Sequence, residues 1–135
     1  MKKTNMRAGF TMIELIFVIV IIGILAAIAM NRLSATRDDA KITKSISNLK
    51  TCIGDMAARY TAQGDLNNTD LNTSVACKET NSENCFAVSI DNNGTQISVT
   101  NGTLNNTWCS AARTDATAKS LDGNHTIGGT SINRN

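Results

Sequence analysis

Gly9 to Met30 reads GFTMIELIFVIVIIGILAAIAM, an apolar run with one ionisable side chain, Glu14, near its start. Phe10 to Met30 is 21 residues, and a bilayer core of about 30 Å takes roughly 20 residues of helix. The run is long enough to cross a membrane. A carboxylate in hydrocarbon costs about 2.5 kcal/mol or more even on lenient insertion scales, so Glu14 is a burden unless something receives its charge. Lys2, Lys3 and Arg7 precede the run and no acid does, which predicts a cytoplasmic N-terminus and a translocated remainder.

A second reading uses the same residues. The basic start, the apolar stretch and Ala27-Ile28-Ala29 before Met30 also fit a secretory signal peptide cleaved near Ala29, leaving a secreted binding domain. Glu14 argues against it, because a carboxylate there weakens insertion and does nothing for a segment that is cut away.

Gly9-Phe10-Thr11-Met12-Ile13-Glu14-Leu15, followed by an unbroken apolar run containing Gly23, resembles the N-terminus of type IV pilins and type II secretion pseudopilins. The resemblance implies that a prepilin peptidase cuts between Gly9 and Phe10, that the new amine of Phe10 is methylated, and that the apolar helix is kept. It also implies that Glu14 meets the N-terminal amine of a neighbouring subunit during assembly, the partner a membrane-buried charge needs. The implied partners are copies of this chain and other pilin-like subunits in a helical filament, the prepilin peptidase, an inner-membrane assembly platform and the lipid bilayer. The implied location is the inner membrane, single-pass, with the head in the periplasm or outside the cell after assembly.

The chain departs from the family at one position. The family usually has a proline eight residues after the glycine that Gly23 matches; Asn31 stands there, and the chain contains no proline. Proline kinks a helix, so a straighter helix is expected, and the local melting near Gly23 that accompanies assembly in the family is not carried over. Gly23 still weakens the helix by about 1 kcal/mol relative to alanine. The missing proline and a small head favour a pseudopilin of a type II secretion or DNA-uptake system over a true type IV pilin, major or minor.

Beyond the apolar run, Ile42, Ile46, Leu49, Ile53, Met56 and Tyr60 recur in steps of four and three, one stripe at helical period. Such a stripe serves a coiled coil or, as expected here, covers a small sheet. Gly64 is a natural helix stop. A helix from Phe10 to Gln63 is about 80 Å long, the length of a filament subunit or a single-pass anchor. The expected organisation is a leader over residues 1–9, a transmembrane assembly helix over 10–30, an amphipathic helix over 31–63, and a small β-rich head over 64–135. The expected fold is α+β and pilin-like, a long helix on a small antiparallel sheet.

Within the head, Phe86–Ile90 and Thr95–Thr100 alternate apolar and polar residues across Asp91-Asn92-Asn93-Gly94, a hairpin signal. Leu104–Trp108 reads as a third strand, with Lys119–Leu121 and His125–Ile127 as weaker ones. So small a head needs staples. Cys52, Cys77, Cys85 and Cys109 supply two disulfides if the head leaves the cytoplasm. Three connectivities are open. The hairpin returns the chain near Cys85 at Thr100, favouring Cys85–Cys109 and leaving Cys52–Cys77. A zinc site is the alternative, but there is no Cys-x-x-Cys pair and one histidine, His125.

Asn-x-Ser/Thr sequons begin at Asn67, Asn72, Asn93, Asn101, Asn105 and Asn124, and Asp65, Asp70, Asp91 and Asp122 stand two residues before Asn67, Asn72, Asn93 and Asn124. This pattern resembles the extended acceptor of bacterial N-glycosylation. The same residue types also gather in turns for backbone reasons, so both readings stay open.

The chain's net charge is +2, and cutting off Lys2, Lys3 and Arg7 leaves 10 basic against 11 acidic residues before the new amine is counted. That balance carries no strong nucleic-acid footprint, and Lys41, Lys44 and Lys50 read as a solvated helix face. No nucleophile elbow, phosphate loop or metal-ligand spacing appears. Asp115 and Asp122 do not match a calcium loop. No catalytic residue, metal or cofactor is expected.

Overall fold

A computed structural model describes residues 9–91 and 93–128; Lys2, Lys3 and Arg7, in the expected leader, lie outside them. The chain divides into two compact units, Met1–Arg37 and Asp38–Asn135. Helix α1, Met12–Gln63, is 52 residues long and unbroken at both Gly23 and Asn31. In the N-terminal unit every described residue is exposed, from Gly9 to Arg37. The apolar part of α1 is long enough to cross a membrane, and none of that window is buried.

The second unit begins on the other half of α1. Ile46, Leu49, Cys52 and Met56 are buried there, with Ile42, Ile53 and Tyr60 packed against the same cluster. This is the stripe read from the sequence. α1 ends where Gly64, at φ 87°, takes the left-handed conformation that glycine adopts without steric cost, its N–H bonded to the Tyr60 carbonyl at 2.7 Å.

A 3-10 turn at Asp70–Thr73 leads to α2, Val75–Glu83, then β1, Phe86–Ile90, and β2, Gln96–Asn101. Helix α3, Thr107–Ala118, and β3, Gly123–Thr126, complete the described chain. The sheet has order β1-β2-β3 and is antiparallel throughout, with Val88 opposite Val99 and Ile97 opposite His125. Phe86, Val88 and Ile90 point inward from β1 while Ala87 and Ser89 face out. Ile97 and Val99 do the same on β2, and Cys109, Ala112 and Ala116 form the buried face of α3. The fold is a long helix packed on a small three-stranded antiparallel sheet.

Three sequence expectations for the head differ from the structure. Leu104–Trp108 is not a strand: Asn106 caps α3 through Cys109 N–H at 3.1 Å, and the alanine-rich stretch behind it is a helix former. Lys119–Leu121 is the turn that ends α3, with Ser120 at φ 54°, and β3 runs from Gly123 rather than from His125. α2 was also not expected. It is capped by Ser74, whose hydroxyl accepts from Cys77 N–H at 3.3 Å, and it buries only Cys77 and Thr80, too little for an apolar period to show.

Candidate functional site

The N-terminal end of α1 carries the expected site residues Gly9, Phe10 and Glu14, and of these Glu14 is held in place by Thr11. Thr11 precedes the first helical residue, and the Thr11 N–H and hydroxyl donate to Glu14 Oε2 at 3.0 and 2.9 Å. Glu14 N–H donates back to Thr11 Oγ1 at 3.3 Å. This is a capping box: Thr-x-x-Glu satisfies N–H groups that the first helical turn leaves without partners. The Glu14 charge also sits at the positive end of the helix dipole. Both donations fall on Oε2, and Oε1 takes no donor among the described residues.

The carboxylate is therefore folded back toward Phe10, the residue whose amine a cut after Gly9 would expose. Phe10 itself is 89% exposed. Around this box lie Met12, Ile13, Ile16 and Phe17, and the exposed apolar surface continues through Leu33. Soluble monomers rarely carry contiguous apolar patches beyond a few hundred Å², and this stretch is compatible with a membrane anchor.

In the head, Cys52 is joined to Cys77 and Cys85 to Cys109, with Cα–Cα separations of 4.7 and 5.6 Å. The first bond ties α1 to α2 and the second ties the start of β1 to α3. Sequence reasoning missed the polar clamps around them. The Arg113 guanidinium donates to the carbonyls of Cys85, Gly102 and Leu104 at 2.7–3.2 Å and to Asn105 Oδ1 at 3.1 Å. Nothing in the sequence marks one arginine inside an unexpected helix for that work. Asn68 and Asn81 close the outer edge of β1. Asn68 bonds the Ile90 N–H and carbonyl, and Asn81 bonds those of Val88, which removes the open edge a neighbouring strand would use.

Arg59 pairs with Asp70 at 2.8 Å, and Asp70 Oδ2 accepts from Asn67 N–H at 2.9 Å. The Asn67 N–H first, and then the Arg59 guanidinium, hold the Asp70 carboxyl below the usual range, against the opposing effect of burial. Lys44 lies between Glu83 and Glu79 at 3.0 and 3.3 Å, which raises its pKa, Glu83 contributing most. Lys41 stands 5.9 Å over the Trp108 ring and 3.7 Å from Asp38. These lysines belong to a solvated face with local partners.

His125 Nε2 is 2.9 Å from the Leu121 carbonyl, Asp122 accepts from the Thr117 hydroxyl at 3.0 Å, and Asp115 pairs with Lys119. Among the described residues no cluster of three metal-capable side chains occurs. The asparagines of the six sequons, Asn67, Asn72, Asn93, Asn101, Asn105 and Asn124, are all exposed.

Residues 4–30 match the family model described as the prokaryotic N-terminal methylation motif. No curated protein and no solved structure matches the chain. The matched segment contains the Gly9-Phe10 junction, the Thr11–Glu14 capping box and the uncovered apolar stretch of α1. Over those residues the chain carries the N-terminal methylation signature of the type IV pilins and pseudopilins.

Proposed function

We propose that this chain is a structural subunit of a type IV pilus-like filament, a pseudopilin serving a type II secretion or DNA-uptake machine. The observation that carries the proposal is the methylation motif at residues 4–30, whose part from Met12 onward lies on a helix with its apolar surface wholly uncovered. In this reading prepilin peptidase cuts after Gly9, and the amine of Phe10 is methylated. The subunit waits in the inner membrane with its N-terminus cytoplasmic and its head outside, in an oxidising compartment where two disulfides persist.

The capping box supplies a mechanism for docking. While the subunit is alone, Thr11 holds the Glu14 carboxylate at its own helix terminus and lowers the cost of carrying a charge in lipid. On docking, the amine of a neighbouring Phe10 meets the remaining oxygen, forming an ion pair inside an apolar helix bundle. Misregistered neighbours leave both charges unpaired, so the pair sets the axial register. The assembly platform then adds subunits of this chain or of other pilin-like chains.

The preference for a pseudopilin over a true type IV pilin rests on Asn31, which replaces the usual kinking proline, and on the small head. The test is the mass of the N-terminal peptide of the native protein. Methylated Phe10 at the N-terminus is the expected result; a chain beginning at Met30 assigns the apolar run to an ordinary signal peptide and ends the proposal.

A further inference from the structure

We propose that Asn67 is the acceptor of an N-linked glycan. Asn-x-Ser/Thr is the acceptor pattern for such a sugar, and this chain repeats it at the six exposed asparagines, four of them preceded by aspartate at the second residue back. The structure separates those four by what their flanking groups are already doing.

At Asn72 the required hydroxyl is committed elsewhere. Ser74 is 7% exposed, and its hydroxyl donates to Asp55 Oδ2 at 2.6 Å while capping α2. At Asn93 the preceding acid is engaged, since Asp91 Oδ1 accepts from the N–H groups of Thr95 and Gln96 at 3.0 and 2.9 Å and so holds the hairpin turn. The following Gly94 is buried, so close to Leu66 that a Cβ there would lie 2.3 Å from its carbonyl oxygen. Asn124 lies within β3, opposite Ser98, and its preceding Asp122 takes the Thr117 hydroxyl.

Asn67 is different. Asp65, Asn67 and Thr69 are all exposed, in the connection between α1 and the 3-10 turn. Asp65 makes no side-chain hydrogen bond among the described residues. The Thr69 hydroxyl is directed at the acceptor itself: Thr69 Oγ1 and Thr69 N–H, the latter at 2.9 Å, both donate to Asn67 Oδ1. Two donors on the amide oxygen withdraw density from the carbonyl and make the Nδ2 hydrogens more acidic. Nδ2 donates to no group among the described residues. The segment there is held in place, the Asn67 N–H donating to Asp70 Oδ2 and the Asn68 side-chain amide to the Ile90 carbonyl, so the side chain is presented on a fixed frame.

The sugar comes from a lipid-diphosphate-linked glycan. Nδ2 loses one proton to a base of the transferase and forms a bond to the sugar C1. The C1–O bond to the diphosphate breaks, and the lipid diphosphate leaves with the electron pair. No oxidant or reductant takes part.

The proposal rests on the head leaving the cytoplasm, and one experiment keeps the two ideas separable. The full chain is purified from the organism that makes it, reduced and digested with trypsin, and its peptides are weighed. The expected result is a glycan mass on the peptide Tyr60–Lys78 that Asn67→Gln and Thr69→Ala abolish, and that Asn72→Gln and Thr69→Ser retain. A Tyr60–Lys78 peptide of bare polypeptide mass, or an excess that survives Asn67→Gln, overturns the assignment. The N-terminal peptide in the same digest reports methylated Phe10 independently, so a bare Asn67 on a methylated chain sinks the glycan and leaves the filament subunit standing.

Discussion

The two halves of α1 are one secondary structure written for two different surroundings. From Met12 to Arg37 every residue is exposed, and leucine, isoleucine, valine and phenylalanine occupy all sides of the helix. From Asp38 to Gln63 apolar residues keep to one stripe, and Leu49, Cys52 and Met56 are at most 1% exposed. A helix apolar all round is made for a core or a membrane, and a striped one for a single packed face. The second half finds its partner within its own chain. The first buries none of its residues, and Glu14, the one charge within its apolar run from Phe10 to Met30, is the most informative residue in the molecule.

The sharpest way to break this contrast is Glu14→Ala. Membrane insertion should be unchanged or improved, because a charge has left the apolar run. Filament incorporation should collapse. Removing one member of a buried ion pair costs about 3–5 kcal/mol, on the order of a hundredfold or more in equilibrium. Fractionation of membranes against counts of subunits in sheared filaments reads both effects, and normal assembly of Glu14→Ala would undo the assignment of its role.

The head should respond to a change that leaves the first half untouched. Replacing Cys52 and Cys77 together by serine opens a 25-residue separation and should cost about 3 kcal/mol, or roughly 12–24 °C in the melting of a domain this size. The measurement is thermal unfolding of the intact chain in detergent, followed at Trp108. An unchanged midpoint would show that the staple adds nothing to the packed face. Leucine truncation then compares the halves directly. Leu49→Ala empties a fully buried site and should cost about 2–5 kcal/mol, whereas Leu25→Ala, 60% exposed, should leave head stability within about 0.5 kcal/mol. A Leu25→Ala penalty equal to that of Leu49→Ala would erase the distinction between the halves.

Legibility in the sequence follows the same division. The apolar run, the Glu14 signal and the stripe from Ile42 to Tyr60 were readable because each is a strong periodic or compositional pattern over many residues. The hairpin was readable because alternation and Asn93-Gly94 agree. α2 and α3 were not. Their buried faces consist of Cys77 and Thr80 in one, and Cys109, Ala112 and Ala116 in the other, small residues that leave little hydrophobic period. The signals that did exist were the caps, Ser74 and Asn106, each three residues before a cysteine whose N–H it takes. The capping box at Thr11–Glu14 was also present as Thr-x-x-Glu before an apolar run, where one carboxylate serves both as a cap and as a charge in the apolar segment. Arg113, Asn68 and Asn81 act through contacts distant in sequence, which no local pattern encodes.

The smallest expected effect is one of pH, and it belongs to the head. Asp70 is held below its ordinary pKa by the Asn67 N–H and then by Arg59, and Glu79 is likewise lowered, first by Asn48 and then by Lys44. A carboxylate with a depressed folded-state pKa binds fewer protons in the folded state than in the unfolded one. Its contribution is therefore complete above the unfolded value, about 3.9 for Asp and 4.3 for Glu, and is lost as pH falls through that value toward the folded one. Head stability should be flat in these two groups near neutrality and decline below about pH 4.5. Asp70→Asn should remove part of that decline, and combining it with Glu79→Gln should remove more, while both variants lose some stability at neutral pH. The midpoints of urea unfolding at pH 7 and pH 3 decide it. A wild-type chain and Asp70→Asn that lose stability in parallel between those pH values would show that the loop after α1 is held by Leu66 and Leu71 packing into the core, with the Arg59–Asp70 pair contributing nothing to the acid response.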